Sequence, residues 1–160
     1  MPDSNAEVQM KIAVAADHAA VPLNEQVIEE LRRLGHEISD LGTHDASSAD
    51  DYPDHADDLA REIVAGRCER GILICGSGVG ASVAANKIHG IRAGLAHDTY
   101  SAHQGVEHDD MNVLCLGSRV VGRELALELV RAFVGAQFTG EERHRRRLAK
   151  VAVLEKRGTP

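Results

Sequence analysis

The sequence predicts an α/β protein in which helices cover both faces of a five-stranded, mainly parallel sheet, a three-layer α/β/α sandwich. Two observations predict this class. Five short apolar runs alternate with helical patterns along the chain, which is typical of a parallel sheet buried on both faces. The length of 160 residues and a composition of 43% hydrophobic and 27% charged residues fit one globular domain. We assign that domain to residues 10–160 and interpret the polar, aperiodic residues 1–9 as a flexible extension.

Each predicted strand is a short apolar run that ends at a glycine or a polar residue. The first run begins directly after Met10, and Gly42 closes the second. The predicted strands span residues 11–16, 37–41, 71–75, 91–96 and 112–116.

The predicted helices carry apolar residues at three- and four-residue spacing. The first has Pro22 in its first turn and ends at Gly35, as helix termini favour. A polar loop over residues 43–54 is long enough to suggest a function. The remaining helical patterns cover residues 56–64, 81–87, 99–106, 125–136 and 148–154.

The composition excludes several partners. Aromatic residues make up 2% of the chain and the formal net charge is −7, so the chain lacks both the stacking faces and the positive field of a nucleic-acid-binding protein. No apolar run reaches the length of a membrane span. Cys68, Cys75 and Cys115 lack C-x-x-C spacing, which favours free thiols and a cytoplasmic protein.

Polar residues that flank the predicted strands form the candidate site. Asp17 and His18 follow the first strand, Cys75 ends the third, residues 107–110 precede the fifth, and Arg119 follows the fifth. In a parallel sheet, ligands bind at the edge where the strands end. We therefore expect these groups to lie together at that edge.

The sharpest local feature is the turn Gly76-Ser-Gly-Val-Gly80. Alternate glycines let backbone N–H groups turn toward an anion, and the next helix adds its positive dipole end. Gly76, Gly78 and Ala81 also match the dinucleotide fingerprint G-x-G-x-x-A, but that fingerprint normally follows the first strand. The turn predicts a cradle for a phosphate or a developing oxyanion.

The cysteines differ in their predicted surroundings. Cys75 ends a strand just before a helix N-terminus, which favours a thiolate that acts as a base or nucleophile. Cys115 lies in the middle of a strand and fits a small buried hydrophobe. We expect Cys68, near a polar helix end, to be incidental.

The remaining candidates are basic. His108, between acidic neighbours in a predicted loop, is a candidate general acid or base. It lies five residues from His103, which does not suit a shared metal ion on a helix, and we expect no metal site. Arg143 and Arg147 share one helix face at i and i+4, a pattern that suits a phosphate monoester.

Several motifs, in this order along the chain, are those of a known family. They are Asp17-His18-Ala19, Asp51-Tyr-Pro53, Cys75-Gly-Ser-Gly-Val-Gly80, Ala84-Ala-Asn-Lys87, Gly90-Ile-Arg92, Asn112-Val-Leu114, Gly117-Ser-Arg119 and Arg143-His144. Together they resemble ribose-5-phosphate isomerase type B over about residues 10 to 155. The resemblance implies a Rossmann-like subunit and an aldose–ketose isomerase without a metal or organic cofactor. It also implies a homodimer, or a dimer of dimers, whose active sites are shared between subunits.

The resemblance also implies roles for individual residues. Cys75 matches the catalytic base, Ser77 the hydroxyl beside it, His108 the ring-opening histidine, and Asp17 an early substrate contact that assists ring opening. The substrate-binding matches are His18, Gly76, Gly78, Val79, Gly80, Asp109, Arg119, Arg143 and Arg147.

Two departures from the family pattern matter. Some relatives place a glutamate base where this chain has Ala81, so Cys75 must carry that role. Asp109 stands where many ribose enzymes have Asn, and an ionised carboxylate cannot donate a hydrogen bond to a sugar oxygen. Ribose 5-phosphate is the expected substrate, while a tetrose phosphate such as erythrulose 4-phosphate, or allose or galactose 6-phosphate, remains an alternative. A non-catalytic module that binds a sugar phosphate or nucleotide is the alternative from another class.

Overall fold

A computed structural model describes residues 8–158, so the extension predicted for residues 1–9 lies almost entirely outside the described residues. The strands are β1 (Lys11–Ala16), β2 (Glu37–Asp40), β3 (Arg70–Cys75), β4 (Ala93–Leu95) and β5 (Val113–Gly117). All pairings are parallel, in the order β2-β1-β3-β5-β4. The predicted α/β class and its five strands are confirmed.

Within the described residues, six α-helices connect and follow these strands, and a short 3-10 helix (His18–Ala20) precedes the first. They are α1 (Val21–Arg33), α2 (Tyr52–Val64), α3 (Val79–Ala85), α4 (Thr99–Asp109), α5 (Arg123–Gly135) and α6 (Glu142–Arg157). The predicted bounds differ most at α6, which begins six residues before Leu148, and α4 extends three residues beyond Val106. The prediction that His108 lies in a loop is therefore wrong, because the last turn of α4 contains it.

The sheet is buried on both faces, as its apolar strands predict. Ile12 and Val14 pack with residues of α1, α4 and α5, whereas Ala13 and Ala15 point to the other face and pack with α2 and α3. Large buried side chains such as Phe133 each stabilise the fold by roughly 1.5–3 kcal/mol. The two clusters fix the strands whose ends carry the candidate site.

The strand order creates a crevice. The chain passes from β1 to β2 on one side, and then crosses over so that β3 pairs with the other side of β1. The connections after β1 and β3 therefore run in opposite directions along the sheet and leave a crevice between them. This is the topological switch point, where open α/β sheets bind ligands. Asp17 and Cys75 follow or end these two strands.

Helix α6 lies outside the two layers of helices. His144 near its start is fully buried, but Val151, Val153 and Leu154 are each at least half exposed. Near its end, the Glu155 carboxylate accepts a hydrogen bond from the Gly90 N–H, at 2.8 Å. Among residues 8–158, no helix combines the length and apolar character needed to cross a membrane.

Candidate active site

A cleft of about 420 Å³ lies at the switch point between β1 and β3. Side chains from the ends of three strands and from the start of α2 surround it. The lining residues are Asp17, His18, Ala19, Tyr52, Cys75, Gly76, Ser77, Gly80, Arg119 and Val120. The structure thus brings together the predicted site residues that follow β1, β3 and β5.

Asp17 is held at the end of β1 by hydrogen bonds on both sides. Its backbone N–H donates to the Ile74 carbonyl at 3.1 Å, which extends the ladder between β1 and β3. Its carboxylate accepts the Ala19 N–H at 3.0 Å and so caps the 3-10 helix. Asp17 is 8% exposed, and these hydrogen bonds with the backbone fix its position at the edge of the cleft.

The glycine turn folds back over Cys75. The Gly78 N–H donates to the Cys75 Sγ at 3.1 Å. Gly78 adopts a φ of +80°, and a side-chain carbon there would lie 2.9 Å from the Leu116 carbonyl carbon. Glycine is therefore required at this position, both for the left-handed backbone and for close packing against β5.

All three cysteines are free and buried, but only Cys75 borders the cleft. Burial raises the pKa of the Cys115 thiol, as the interpretation of a buried hydrophobe implies. Burial also raises the pKa of the Cys68 thiol, and the negative charge of Glu62 adds to that rise. Cys75 therefore differs from the other two thiols in that it lines the cleft, where a substrate can reach it.

Ser77 and Arg119 complete the exposed rim of the cleft. The Ser77 Oγ accepts the Val79 N–H at 3.2 Å, so the hydroxyl lies at the start of α3. The Arg119 N–H donates to the Gly76 carbonyl at 2.9 Å, which ties the segment after β5 to the glycine turn. The Arg119 guanidinium would lie 3.6 Å from a side-chain carbon at Gly76, so a positive side chain stands beside the residue that follows Cys75.

A second set of polar groups at this cleft was not predicted from the sequence. The carboxylate of Asp50 accepts hydrogen bonds from both His18 and His55. The ring of Tyr52 lies over Gly80, where a side-chain carbon would come within 2.6 Å of it. The polar loop over residues 43–54 was the available signal, but its conformation could not be read from spacing.

The other predicted site residues lie elsewhere in the same subunit. Helix α4 starts beside the carboxyl end of β4 and runs back for 11 residues, about 16 Å. Its end is fixed near the start of β4, because the Arg92 Nε donates to the Asp110 carbonyl at 2.7 Å. His108 and Asp109 are therefore at the edge where strands begin, and the prediction that they join Cys75 at the opposite edge is wrong within one chain.

Arg143 and Arg147 belong with His108 rather than with Cys75. The ring of His144, next to Arg143, stacks on the ring of His108 with centroids 4.1 Å apart. His108 Nδ1 is also 2.8 Å from Gln104 Nε2. Both arginines are exposed, and α6 contains both of them, so they share one helix face as the spacing at i and i+4 predicts.

Within residues 8–158, no group of three or more His, Cys, Asp or Glu side chains is arranged to hold a metal ion. Asp110 pairs instead with Arg92, with 3.2 Å between Oδ2 and the guanidinium.

Comparison with known proteins gives a consistent result. The profile of the Ribose/Galactose Isomerase family matches residues 12–151. Ribose-5-phosphate isomerase B of Escherichia coli is 44% identical over 147 residues, which is 92% of this chain and 97% of that protein. The D-erythrulose-4-phosphate isomerase of Pectobacterium atrosepticum is 40% identical over 131 residues, 82% of this chain and 86% of that protein. The solved ribose-5-phosphate isomerase B of Clostridium thermocellum has a TM-score of 0.90 and 43% identity, and covers 94% of this chain and 100% of that one.

The fold and the matches together show that this is an α/β enzyme, an isomerase of sugar phosphates. More particularly, the chain belongs to the ribose/galactose isomerase family. The resemblance drawn from the motifs is confirmed.

Proposed function

We propose that the protein interconverts ribose 5-phosphate and ribulose 5-phosphate, with Cys75 as the catalytic base. The observation that carries this proposal is the position of Cys75 at the switch-point cleft. There its sulfur accepts the Gly78 N–H, and Asp17 and Arg119 stand beside it. A thiolate in this position can take a proton from a carbon atom, and the surrounding donors can hold the charge that develops.

The reaction begins with opening of the sugar ring. Asp17 and His108 move a proton from the anomeric hydroxyl to the ring oxygen, which leaves the open-chain aldehyde. The Cys75 thiolate then takes the proton from C2, and the electron pair moves to the aldehyde oxygen to give a cis-enediolate. N–H groups of the turn around Ser77 stabilise the negative oxygen, each by about 3 kcal/mol. The thiol returns its proton to C1, the proton of the C2 hydroxyl moves to the negative oxygen on C1, and the ketose and the Cys75 thiolate result.

This mechanism needs groups from both edges of the sheet, and we propose that two copies of the chain supply them. His108, Arg143 and Arg147 of one subunit would complete the cleft that holds Cys75 in the other. An apolar groove of about 780 Å³ between β4, α4 and α6 supports this proposal. Exposed Val151 and Leu154 line it, and such apolar surface is typical of a subunit interface. The assembly would be a homodimer or a dimer of dimers.

Asp109 supports an alternative substrate class. Its exposed carboxylate at the end of α4 accepts hydrogen bonds and cannot donate them to a sugar oxygen. The relatives act, by their names, on ribose 5-phosphate or on erythrulose 4-phosphate. A tetrose phosphate is therefore the first alternative substrate, and a hexose phosphate is the second.

We also propose a cytoplasmic location. All three cysteines are free and buried. Disulfides form and persist in oxidising compartments, so free thiols are typical of the reducing cytoplasm.

A substrate panel in deuterated water tests the proposed function. Aldose phosphates of four, five and six carbons are each incubated with the enzyme, and ketose formation and deuterium at C1 and C2 are measured. We expect the highest kcat/KM with ribose 5-phosphate and deuterium in its product. A protein that binds a sugar phosphate without introducing deuterium would be a binding module and would contradict the proposal.

The proposed base has a matched test. Cys75→Ala should reduce kcat by at least about a thousandfold, because the proton acceptor is lost while the binding groups remain. Cys68→Ala makes the same chemical change at a buried site outside the cleft and should keep the wild-type rate. Near-wild-type turnover by Cys75→Ala would remove Cys75 from the mechanism.

A further inference from the structure

One carboxylate of the loop between β2 and α2 is turned inward. The loop residues 44–49 and Asp51 are exposed, whereas the Asp50 side chain is 20% exposed. Both of its oxygens are used. Oδ1 accepts the His18 backbone N–H at 3.1 Å and lies 2.5 Å from His18 Nδ1, and Oδ2 lies 2.7 Å from His55 Nε2.

The charge of Asp50 decides how the two rings are protonated. Burial acts to raise the pKa of this carboxyl, but hydrogen bonds from His18 and His55 outweigh burial and lower the pKa to about 2. At neutral pH the group is therefore a carboxylate, which only accepts hydrogen bonds. His18 must then carry a proton on Nδ1, and His55 must carry one on Nε2.

The second nitrogen of His18 is left for a ligand. His18 lines the cleft with its side chain 37% exposed, and its Nε2 makes no hydrogen bond to any residue within 8–158. The adjacent Asp17 carboxylate would repel a phosphate, whereas the arginines of the site suit one. The ligand group that fits beside Asp17 and His18 is a sugar hydroxyl, whose hydrogen a neutral Nε2 can accept.

We propose that Asp50 is a positioning residue for the isomerase reaction, which bridges His18 and His55 and holds His18 so that Nε2 accepts a hydrogen bond from a hydroxyl of the sugar phosphate. This inference rests on the proposed function, and it adds a residue outside the motifs that identify the family. Asp50 touches no reacting atom. It acts by fixing both the orientation and the tautomer of His18, as the carboxylate partner of a catalytic imidazole does in other enzymes.

Asp50→Asn tests the role of this carboxylate with little change in shape. The amide accepts only through its oxygen and donates through its NH₂ group, so one of the two rings must change its tautomer or lose its hydrogen bond. We expect kcat/KM for the preferred sugar phosphate to fall about 10- to 100-fold, the range for loss of a hydrogen bond to a charged group. Asp45→Asn is the matched control, because its carboxylate lies in the same loop, is exposed, and bonds to Ser47 and Ser48 of that loop. That variant should keep the wild-type kcat/KM.

A double-mutant cycle distinguishes positioning from simple support of the loop. If Asp50 acts through His18, Asp50→Asn should cause no further loss of kcat/KM in a His18→Ala background. Long-range ¹H–¹⁵N spectra should show the Nδ1–H tautomer of neutral His18 in the wild type and its loss in Asp50→Asn.

The outcomes separate this inference from the proposed function. Independent, multiplicative losses of kcat/KM in the cycle, or full activity of Asp50→Asn, would overturn the role of Asp50 in an enzyme that remains active. A wild-type protein without turnover on any aldose phosphate would overturn the proposed function, and the role of Asp50 with it.

Discussion

The imidazole of His108 stacks on that of His144, with 4.1 Å between ring centroids and 25° between the ring planes. His144 is fully buried, and its Nδ1 lies 2.6 Å from Thr139 Oγ1. Burial lowers the pKa of His144, and the neighbouring His108 and Arg143 lower it further. A neutral ring therefore joins the end of α4 to the start of α6, and this contact sets the arginines of α6 beside His108.

Replacement of Arg143 and Arg147 by Ala should raise KM for the sugar phosphate at least about tenfold, because each charged hydrogen bond to phosphate contributes roughly 1.5–3 kcal/mol. A smaller fall in kcat is expected, since binding of the remote phosphate orients the reacting carbons. Steady-state kinetics provide the measurement. Arg146→Ala, on the same helix and paired with Glu142, is the control and should leave KM unchanged. An unchanged KM in the double variant would show that the two arginines do not bind the phosphate and only form a solvated face of α6.

Gly80→Ala should separate stability from activity. A methyl group at Gly80 would come within 2.6 Å of the Tyr52 ring, and this half-exposed ring must move into or out of the cleft. Helix α3 itself gains from alanine by up to about 1 kcal/mol, so Tm should hold or rise. We expect kcat/KM to fall while Tm does not. Gly135→Ala, also helical but with no atom within 4 Å of the added carbon, should leave kcat/KM unchanged.

Much of this site follows from the order of residues, because Asp17, Cys75 and Arg119 flank strands whose apolar runs are unambiguous. The position of His108 at the opposite edge also follows from the order of residues, because a segment directly before a parallel strand lies where the strands begin. Its helical conformation does not follow, because the apolar pattern is weak after Val106 and gives no sign that α4 continues. The contacts of Asp50 depend on the path of an irregular loop, which no periodic pattern encodes. Loop conformation and helix length therefore limited the prediction more than fold class did.

The stability of the fold should depend on pH through Glu30. This buried carboxylate of α1 pairs with Arg33, at 2.8 and 2.9 Å, and with Arg131 of α5, at 2.5 Å. The hydrogen bond from Arg33 outweighs burial and, with Arg131, lowers the pKa of Glu30 to about 2. A lowered carboxyl pKa stabilises the fold above the unfolded value near 4.5, and this stabilisation is lost as the pH falls from there toward 2.

Glu30→Gln should therefore reduce the free energy of unfolding at pH 7 by about 3 kcal/mol, a difference that shrinks below pH 4.5. Urea unfolding of both proteins at pH 7 and pH 3 measures it. Glu29→Gln removes the neighbouring, exposed carboxylate and should change stability by less than about 0.5 kcal/mol. A deficit of equal size at both pH values would contradict the role assigned to this ion pair.

The proposed active site needs Cys75 from one subunit and Arg143 and Arg147 from another. Cys75→Ala protein is mixed with Arg143→Ala/Arg147→Ala protein, subunits are exchanged, and isomerase activity is measured after mass spectrometry confirms the heterodimer. In a shared arrangement, one site of each heterodimer collects all the substitutions and the other is intact. Random exchange should then restore about a quarter of the wild-type activity. If mixing restores nothing although heterodimers have formed, each site lies within one subunit and the account of a shared site is wrong.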